Sequence, residues 1–130
     1  MFDFLRGNNN VTPTIVKAPT TASTTYHVGD ALVLSSGALV LATGTTKPTH
    51  ISQSEYKAPA TGMEDLPCLL VNSDMEFKTT FAAAPTSIVV GNKVTIHTDG
   101  EQVTATTTSG VAEVVNKLGN ASGSEVIVKF

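Results

Sequence analysis

The sequence predicts an all-β fold: a small, single-domain β-barrel or β-sandwich with a duplicated hairpin and an extended N-terminal arm. Three observations support this prediction. Thr, Val and Ser dominate the composition, and β-branched side chains suit a pleated strand better than a helix. Short apolar runs alternate with turns that contain Gly, Asn or Pro. A chain of 130 residues is long enough for one domain whose core needs neither disulfides nor a metal.

Residues 1–25 differ from the rest of the chain and predict an extended arm, with residues 26–130 forming the β domain. Two apolar clusters in this segment are separated by three asparagines, and a Thr/Ser/Ala stretch ends it. Such polar stretches bury little surface, so we expect the arm to become ordered only on a partner. The alternative is a disordered terminus. The partner-binding residues of the arm would be Phe2, Phe4, Leu5, Val11, Ile15 and Val16.

After residue 25, strand signals alternate with turns to the end of the chain. Residues 55–65 have no periodicity and predict a surface loop. Residues 110–118 are ambiguous, because their apolar spacing fits a helix while valine is a mediocre helix former; a strand is favoured there. The other predicted strands are residues 31–34, 38–42, 50–53, 67–71, 75–81, 88–90, 94–97, 102–107 and 125–130.

Two segments share the order Val-Gly-Asx, strand, Gly turn, strand. The first begins at Val28-Gly29-Asp30 and turns at Gly37, and the second begins at Val90-Gly91-Asn92 and turns at Gly100. Glycine supplies a positive φ, and an Asx side chain bonds to nearby backbone, as a tight turn requires. The pattern predicts a duplicated hairpin, the alternative being two unrelated hairpins. The side chains expected to point into one common core are Leu32, Leu34, Val94 and Ile96.

The sequence contains no motif typical of catalysis, cofactor binding or metal binding. His27, His50 and His97 lie far apart, and none has a metal-binding spacing. Cys68 lies in an apolar run, which predicts a buried and unreactive thiol. Phosphate-binding glycine loops and the nucleophile elbow of hydrolases are also missing. We therefore expect a protein that is not an enzyme, with no catalytic, cofactor-binding or metal-binding residues.

The charge pattern argues against nucleic-acid and membrane partners. The net charge is −3 and Arg6 is the one arginine, whereas a phosphate-binding surface needs clustered Lys and Arg. No apolar run approaches the roughly 18–20 residues of a membrane span, and the start of the chain does not fit a signal peptide. These features predict a soluble protein made in the cytosol.

Residues 26–51 resemble capsid decoration (cement) proteins of tailed bacteriophages. The resemblance lies in the Gly29-Asp30 strand start, the Gly37 turn and the return through Ala42-Thr43-Gly44, Lys47-Pro48 and Ile51, and the second Val-Gly-Asn hairpin fits the later half of that family. It implies a structural virion protein that binds the outside of an assembled capsid and stabilises it. It implies the major capsid protein as partner, synthesis in the host cytoplasm, and no catalytic residues.

Two further expectations concern assembly. A homo-oligomer is expected, and a trimer is favoured over a dimer by the resemblance and by the threefold positions of icosahedral lattices. The last strand is expected at a sheet edge, where Val126, Val128 and Phe130 would add to a neighbour's sheet. The alternatives are another phage structural or adhesion module, such as a fibre base or tail component, and a small β-barrel ligand-binding protein or enzyme.

Overall fold

The computed structural model describes residues 1–61 and 64–130; Gly62 and Met63, which belong to the predicted 55–65 loop, lie outside the described residues. The described residues form twelve strands and no helix. The strands are β1 Asp3–Gly7, β2 Ile15–Pro19, β3 Thr25–Tyr26, β4 Ala31–Ser35, β5 Ala38–Leu41, β6 His50–Ser52, β7 Tyr56–Lys57, β8 Asp65–Leu70, β9 Met75–Thr80, β10 Lys93–Val94, β11 Ala112–Lys117 and β12 Glu125–Lys129.

The strands form two five-stranded antiparallel sheets and one small two-stranded sheet. Sheet 1 has the order β1-β9-β12-β11-β10, and sheet 2 has the order β2-β8-β6-β4-β5. The small sheet pairs β3 with β7. The all-β prediction is confirmed. In the described part of the chain, no helix is long and apolar enough to cross a membrane.

The main hydrophobic core contains residues of both large sheets, as in a β-sandwich. Phe77 and Val128 of sheet 1 are fully buried, and Ile51 and Leu69 of sheet 2 belong to the same cluster. Successive side chains of a strand point to opposite faces. The residues next to Ile51 and Leu69 along their strands therefore point to the other face of sheet 2. Sheet 2 is therefore apolar on both faces.

The second core lies on that other face of sheet 2. Leu32, Leu39 and Cys68 are fully buried in it together with Tyr26 of β3. The Tyr26 hydroxyl donates a hydrogen bond of 2.8 Å to the Leu39 carbonyl, which satisfies its polar end. The two edge strands of sheet 2 meet at one parallel bridge between Thr20 and Leu39. Sheet 2 therefore curls around the second core.

The two Val-Gly-Asx turns have the same geometry. Gly29 and Gly91 have φ values of 84° and 89°. In each turn the Asx carboxylate or amide oxygen accepts a hydrogen bond from the N–H three residues earlier, at 2.8 Å for Asp30 and 3.0 Å for Asn92. The first turn leads into the regular β4–β5 hairpin, and the second into β10 and an antiparallel bridge. The repeated local sequence thus folds into the same turn twice.

The expectation that both hairpins point into one common core is wrong. Val94 and Ile96 are buried in the main core, but Leu32 is buried in the second core and Leu34 is 45% exposed. The reason is that successive side chains of β4 point to opposite faces of sheet 2. Ala31 points into the main core, so the next residue, Leu32, points away from that core.

Most predicted strands are present, with two exceptions. Residues 110–118 contain β11, so the preference for a strand is confirmed, and its pairing with β10 and β12 explains the outcome. Residues 88–90 are not a strand: Val89 and Val90 are both 61% exposed in the turn before β10. Residues 102–107 form isolated bridges at Val103 rather than a regular strand.

Residues 1–25 are not a separate arm. The segment is extended, but β1 pairs with β9 in sheet 1 and β2 pairs with β8 in sheet 2. The Arg6 guanidinium and the Asn8 amide donate hydrogen bonds of 2.8 and 2.9 Å to the buried Glu76 carboxylate of β9. The segment belongs to the fold because its apolar side chains complete both cores.

Candidate functional site

Both aromatic residues that were predicted to bind a partner, Phe2 and Phe4, pack in or against the main core. Phe2 is 2% exposed, and its ring packs edge-on against Phe130 with a centroid distance of 5.4 Å. Phe4 is partly buried and packs against Phe77 at 6.0 Å. A buried side chain presents no surface to a partner, so the prediction of partner binding is wrong for Phe2.

The remaining four residues of the predicted arm divide into inward and outward pairs. Val11 packs against the main core and Val16 against the second core. Leu5 is 44% exposed and Ile15 is 54% exposed. Leu5 lies where the register of β1 against β9 shifts, which indicates a β-bulge. Because β1 and β2 are edge strands, Leu5 and Ile15 are apolar side chains placed at two accessible edges.

The predicted edge strand at the end of the chain is a central strand. β12 lies between β9 and β11 in sheet 1. Val126 and Val128 are fully buried, and Phe130 is 6% exposed. The edge-strand prediction is therefore wrong, because the number of neighbours of a strand depends on long-range pairing and not on its own residues.

A further exposed apolar surface lies on sheet 2. Leu34, Leu41 and Leu70 are each about two-fifths exposed, at 45%, 39% and 41%. The register pairs Leu32 with Leu41 and with His50, and pairs His50 with Leu70. Directly opposite residues share a face, so these leucines lie on the face of sheet 2 that carries the second core. The prediction that Leu34 points into the core is therefore wrong, and no sequence pattern indicated this exposed surface.

A cluster of ionisable side chains joins the first Val-Gly-Asx turn to the turn of the second hairpin. His27 Nδ1 lies 3.8 Å from Asp30 Oδ2 and 3.5 Å from Glu101 Oε1. One oxygen or nitrogen atom from each of the three side chains lies within 4.8 Å of the others. The imidazole is 54% exposed, whereas the Asp30 side chain is 2% exposed. The cluster thus has a buried anion under an accessible imidazole.

The environment of Asp30 is unfavourable for a carboxylate. Burial raises the pKa of Asp30. The hydrogen bond from the His27 backbone N–H and the charge of the His27 imidazole lower the pKa, but they do not cancel the effect of burial. The nearby Glu101 carboxylate raises the pKa further. Among the described residues, Asp30 Oδ1 has no hydrogen-bond partner although it is buried.

The spacing of the histidines and cysteines along the chain does not indicate this cluster, because two of its three members are carboxylates. Asp30 and Glu101 are 71 positions apart by their numbering, and only the packing of the two hairpins brings them together. The backbone N–H of Ala31 donates a 2.8 Å hydrogen bond to the Gly100 carbonyl, which holds the two turns in contact. The sequence feature that relates these two regions is the Val-Gly-Asx pattern that the two hairpins share.

Two other titratable side chains are buried within the sheets. Burial raises the pKa of Cys68 to about 12, as the predicted unreactive thiol requires. His50 is 6% exposed, and burial lowers its pKa; its Nδ1 lies 2.7 Å from Thr49 Oγ1. Both residues are placed for packing on the faces of sheet 2.

An open groove of about 400 Å³ lies beside the end of β12. Lys47, Lys93 and Lys129 line it, and the Lys129 ammonium pairs with the Glu113 carboxylate at 3.3 Å. The ion pair neutralises part of the positive charge, so the groove is a mixed polar surface. Its lysines come from separate loops and strands.

No protein-family model matches the chain, and no curated protein matches it.

Proposed function

We propose that this chain is a structural virion protein that binds the outside of an assembled phage capsid and stabilises it, without catalytic activity. Its partner would be the major capsid protein. The resemblance of residues 26–51 to capsid decoration proteins suggests the class of function. The structural observation that supports the proposal best is the exposure of Leu5 and Ile15 on the edge strands of the two sheets.

An edge strand with an exposed apolar side chain suits attachment to another protein. The free side of an edge strand offers backbone N–H and C=O groups to an added strand, and side chains on it provide specificity. β1 and β2 both lie at edges. The exposed leucines of sheet 2 add apolar surface of the kind found at protein interfaces. The N-terminal segment would therefore bind the shell through its outward side chains while its inward ones complete the cores.

Assembly on the shell would involve several copies. We propose a symmetric homo-oligomer, with a trimer favoured over a dimer, formed at least on the particle. A closed oligomer on a symmetric lattice makes each further contact intramolecular, which raises the overall affinity. β12 would not take part in that contact, because it lies between β9 and β11 in sheet 1.

We also propose that sheet 2 forms a small barrel around the second core. The supporting contacts are the Thr20–Leu39 bridge between its two edge strands and the hydrogen bonds of 2.8 Å that the Thr21 and Tyr26 hydroxyls donate to the Leu39 carbonyl. The bridge lies beyond the end of β2, so the free side of β2 near Ile15 and the edge strand β1 both remain open to a partner. Such a rigid unit suits a protein that stiffens a shell.

Cosedimentation with capsids tests the proposal. Capsids assembled from the shell protein encoded in the same genome are mixed with the purified chain and sedimented. We expect the chain to pellet at a fixed ratio to the shell protein and to raise the temperature at which the capsid melts. Failure to pellet would overturn the proposal, and recovery of the native protein in a tail or fibre fraction would favour the adhesion alternative.

Substitutions at the two edges locate the contact. Leu5→Asp and Ile15→Asp should weaken capsid binding, because each places a charge in an apolar interface. Leu118→Asp is the matched control, since Leu118 is 55% exposed but follows β11 rather than lying on an edge strand. All three variants should keep the unfolding temperature of the parent, as exposed positions do. Unchanged binding by both edge variants would exclude these edges as the contact.

A further inference from the structure

The two equivalent turns differ in the charge of one residue. Asn92 accepts the hydrogen bond of its turn with a neutral amide, and Asp30 accepts the same bond with a carboxylate. Asp30 is 1% exposed, so its charge is kept out of water. Burial of a charge is costly unless the charge is paired or coordinates a metal. The geometry of the turn does not require this charge, since an amide provides the same bond at Asn92.

The buried carboxylate of Asp30 has one oxygen that lacks a hydrogen-bond partner and one that approaches the His27 imidazole. Its Oδ1 has no hydrogen-bond partner among residues 1–61 and 64–130, while its Oδ2 lies 3.8 Å from His27 Nδ1. The Glu101 carboxylate approaches the same nitrogen at 3.5 Å with Oε1. Its other oxygen, Oε2, lies 3.6 Å from the Met1 α-amino group. One oxygen of each carboxylate is thus directed to the imidazole.

We propose that His27, Asp30 and Glu101 bind a divalent transition-metal ion of the Zn²⁺ class. The three side chains offer one nitrogen and two carboxylate oxygens, a donor set that zinc accepts. The site goes beyond the proposed capsid binding and does not depend on it.

The distances suit a tetrahedral ion with one open position. With metal–ligand bonds of about 2.1 Å, the ligand atoms at the corners of a tetrahedron lie about 3.4 Å apart. The two separations from His27 Nδ1, 3.5 and 3.8 Å, are close to this value, so small side-chain movements would complete the coordination. The imidazole favours Zn²⁺, Ni²⁺ or Cu²⁺ over Mg²⁺ or Ca²⁺, which prefer oxygen ligands alone.

Such an ion would link the two hairpins. His27 and Asp30 lie in the turn before β4, and Glu101 follows the Gly100 turn of the second hairpin. A ligand that binds only the folded state stabilises it by mass action. The bound ion would therefore hold together two turns that are far apart in sequence.

Thermal unfolding of the metal-free chain with and without Zn²⁺ tests the site, with isothermal titration of ZnCl₂ as a direct measure of binding. For the parent chain we expect saturable binding of one ion per chain and an unfolding temperature that rises with Zn²⁺ concentration. Equal concentrations of Mg²⁺ should produce no such rise. Absence of Zn²⁺ binding to the parent chain would overturn the proposal, and so would an equal effect of Mg²⁺.

Variants assign the ligands. His27→Gln and Glu101→Gln change accessible side chains, so they should fold normally and weaken Zn²⁺ binding by at least roughly tenfold, since even second-sphere changes weaken metal sites by about 10–100-fold. Asp30→Asn should keep its turn, as Asn92 does, and lose binding as well. His97→Gln is the matched control: His97 Nδ1 also contacts a carboxylate, Asp99 Oδ2, at 3.1 Å, but lies outside the cluster. Parent-like binding by His27→Gln, or loss of binding only in His97→Gln, would overturn the assignment.

Discussion

Replacement of Phe2 by Ala tests whether the N-terminal segment is part of the folded domain. Phe2 is 2% exposed, and its ring packs against Phe130, which in turn packs against Phe77 at 5.6 Å. The backbone N–H of Phe2 also donates a 2.9 Å hydrogen bond to the Gly29 carbonyl. These contacts join the start of the chain, its last residue and the central strand β9. We expect Phe2→Ala to destabilise the whole domain rather than release an arm.

The expected loss follows from the size of the cavity and of the protein. Truncation of a buried Phe to Ala costs about 3–5 kcal/mol. For 130 residues, an unfolding entropy of about 2.1 cal/mol/K per residue gives about 270 cal/mol/K in total. The midpoint of thermal unfolding should therefore fall by roughly 11–18 °C. A loss of that size is a large part of the roughly 5–15 kcal/mol that stabilises a typical domain.

Differential scanning calorimetry and urea titration measure this loss. Leu5→Ala is the control, because Leu5 lies three residues further along the N-terminal segment, in β1, and is 44% exposed. This substitution should change the free energy of unfolding by no more than about 0.5 kcal/mol. If Phe2→Ala unfolds at the temperature of the parent, Phe2 does not belong to the core. The segment would then be the separable arm that its composition suggests.

Three further predictions concern other buried sites. Gly29→Ala and Gly91→Ala should both lower the stability, by about 1–2 kcal/mol from the positive φ alone. Only at Gly29 would the new Cβ also overlap another residue, the side chain of Met1, so its loss should be larger. Equal losses in urea titrations would contradict this packing. Cys68, whose pKa burial raises to about 12, should resist a thiol reagent in the native protein and react fully in denaturant, and rapid native labelling would disprove its burial. Burial by itself raises the pKa of Glu76, but hydrogen bonds from Asn8 and Arg6 bring it below the ordinary 4.5. The Glu76 carboxylate therefore stabilises the fold at pH values above its unfolded-state pKa, and this contribution is lost as the pH falls through the lower folded-state pKa. Glu76→Gln should make the free energy of unfolding depend less on pH on the acid side. An unchanged pH dependence would refute the pairing of Glu76 with Arg6 and Asn8.

Much of the local structure could be predicted from short stretches of sequence. The two Val-Gly-Asx turns follow from a glycine with positive φ and an Asx oxygen that bonds to nearby backbone, and both interactions are local. Strand β9 follows from its alternating side chains, and the buried thiol of Cys68 from its apolar run. The candidate metal cluster could not be predicted in this way, because Glu101 reaches His27 only through the contact between two hairpins.

The sequence by itself determined that this chain forms strands and where most of its turns lie, because those properties depend on the conformational preferences of neighbouring residues. The tertiary structure alone decided which strands lie at the edges. The sequence pattern places Phe2 in an extended arm and Val128 in an edge strand, yet Phe2 completes the main core and β12 lies in the middle of sheet 1. The same apolar residue can cover a core of its own domain or bind another protein, and the choice depends on whether a distant strand presents a complementary surface.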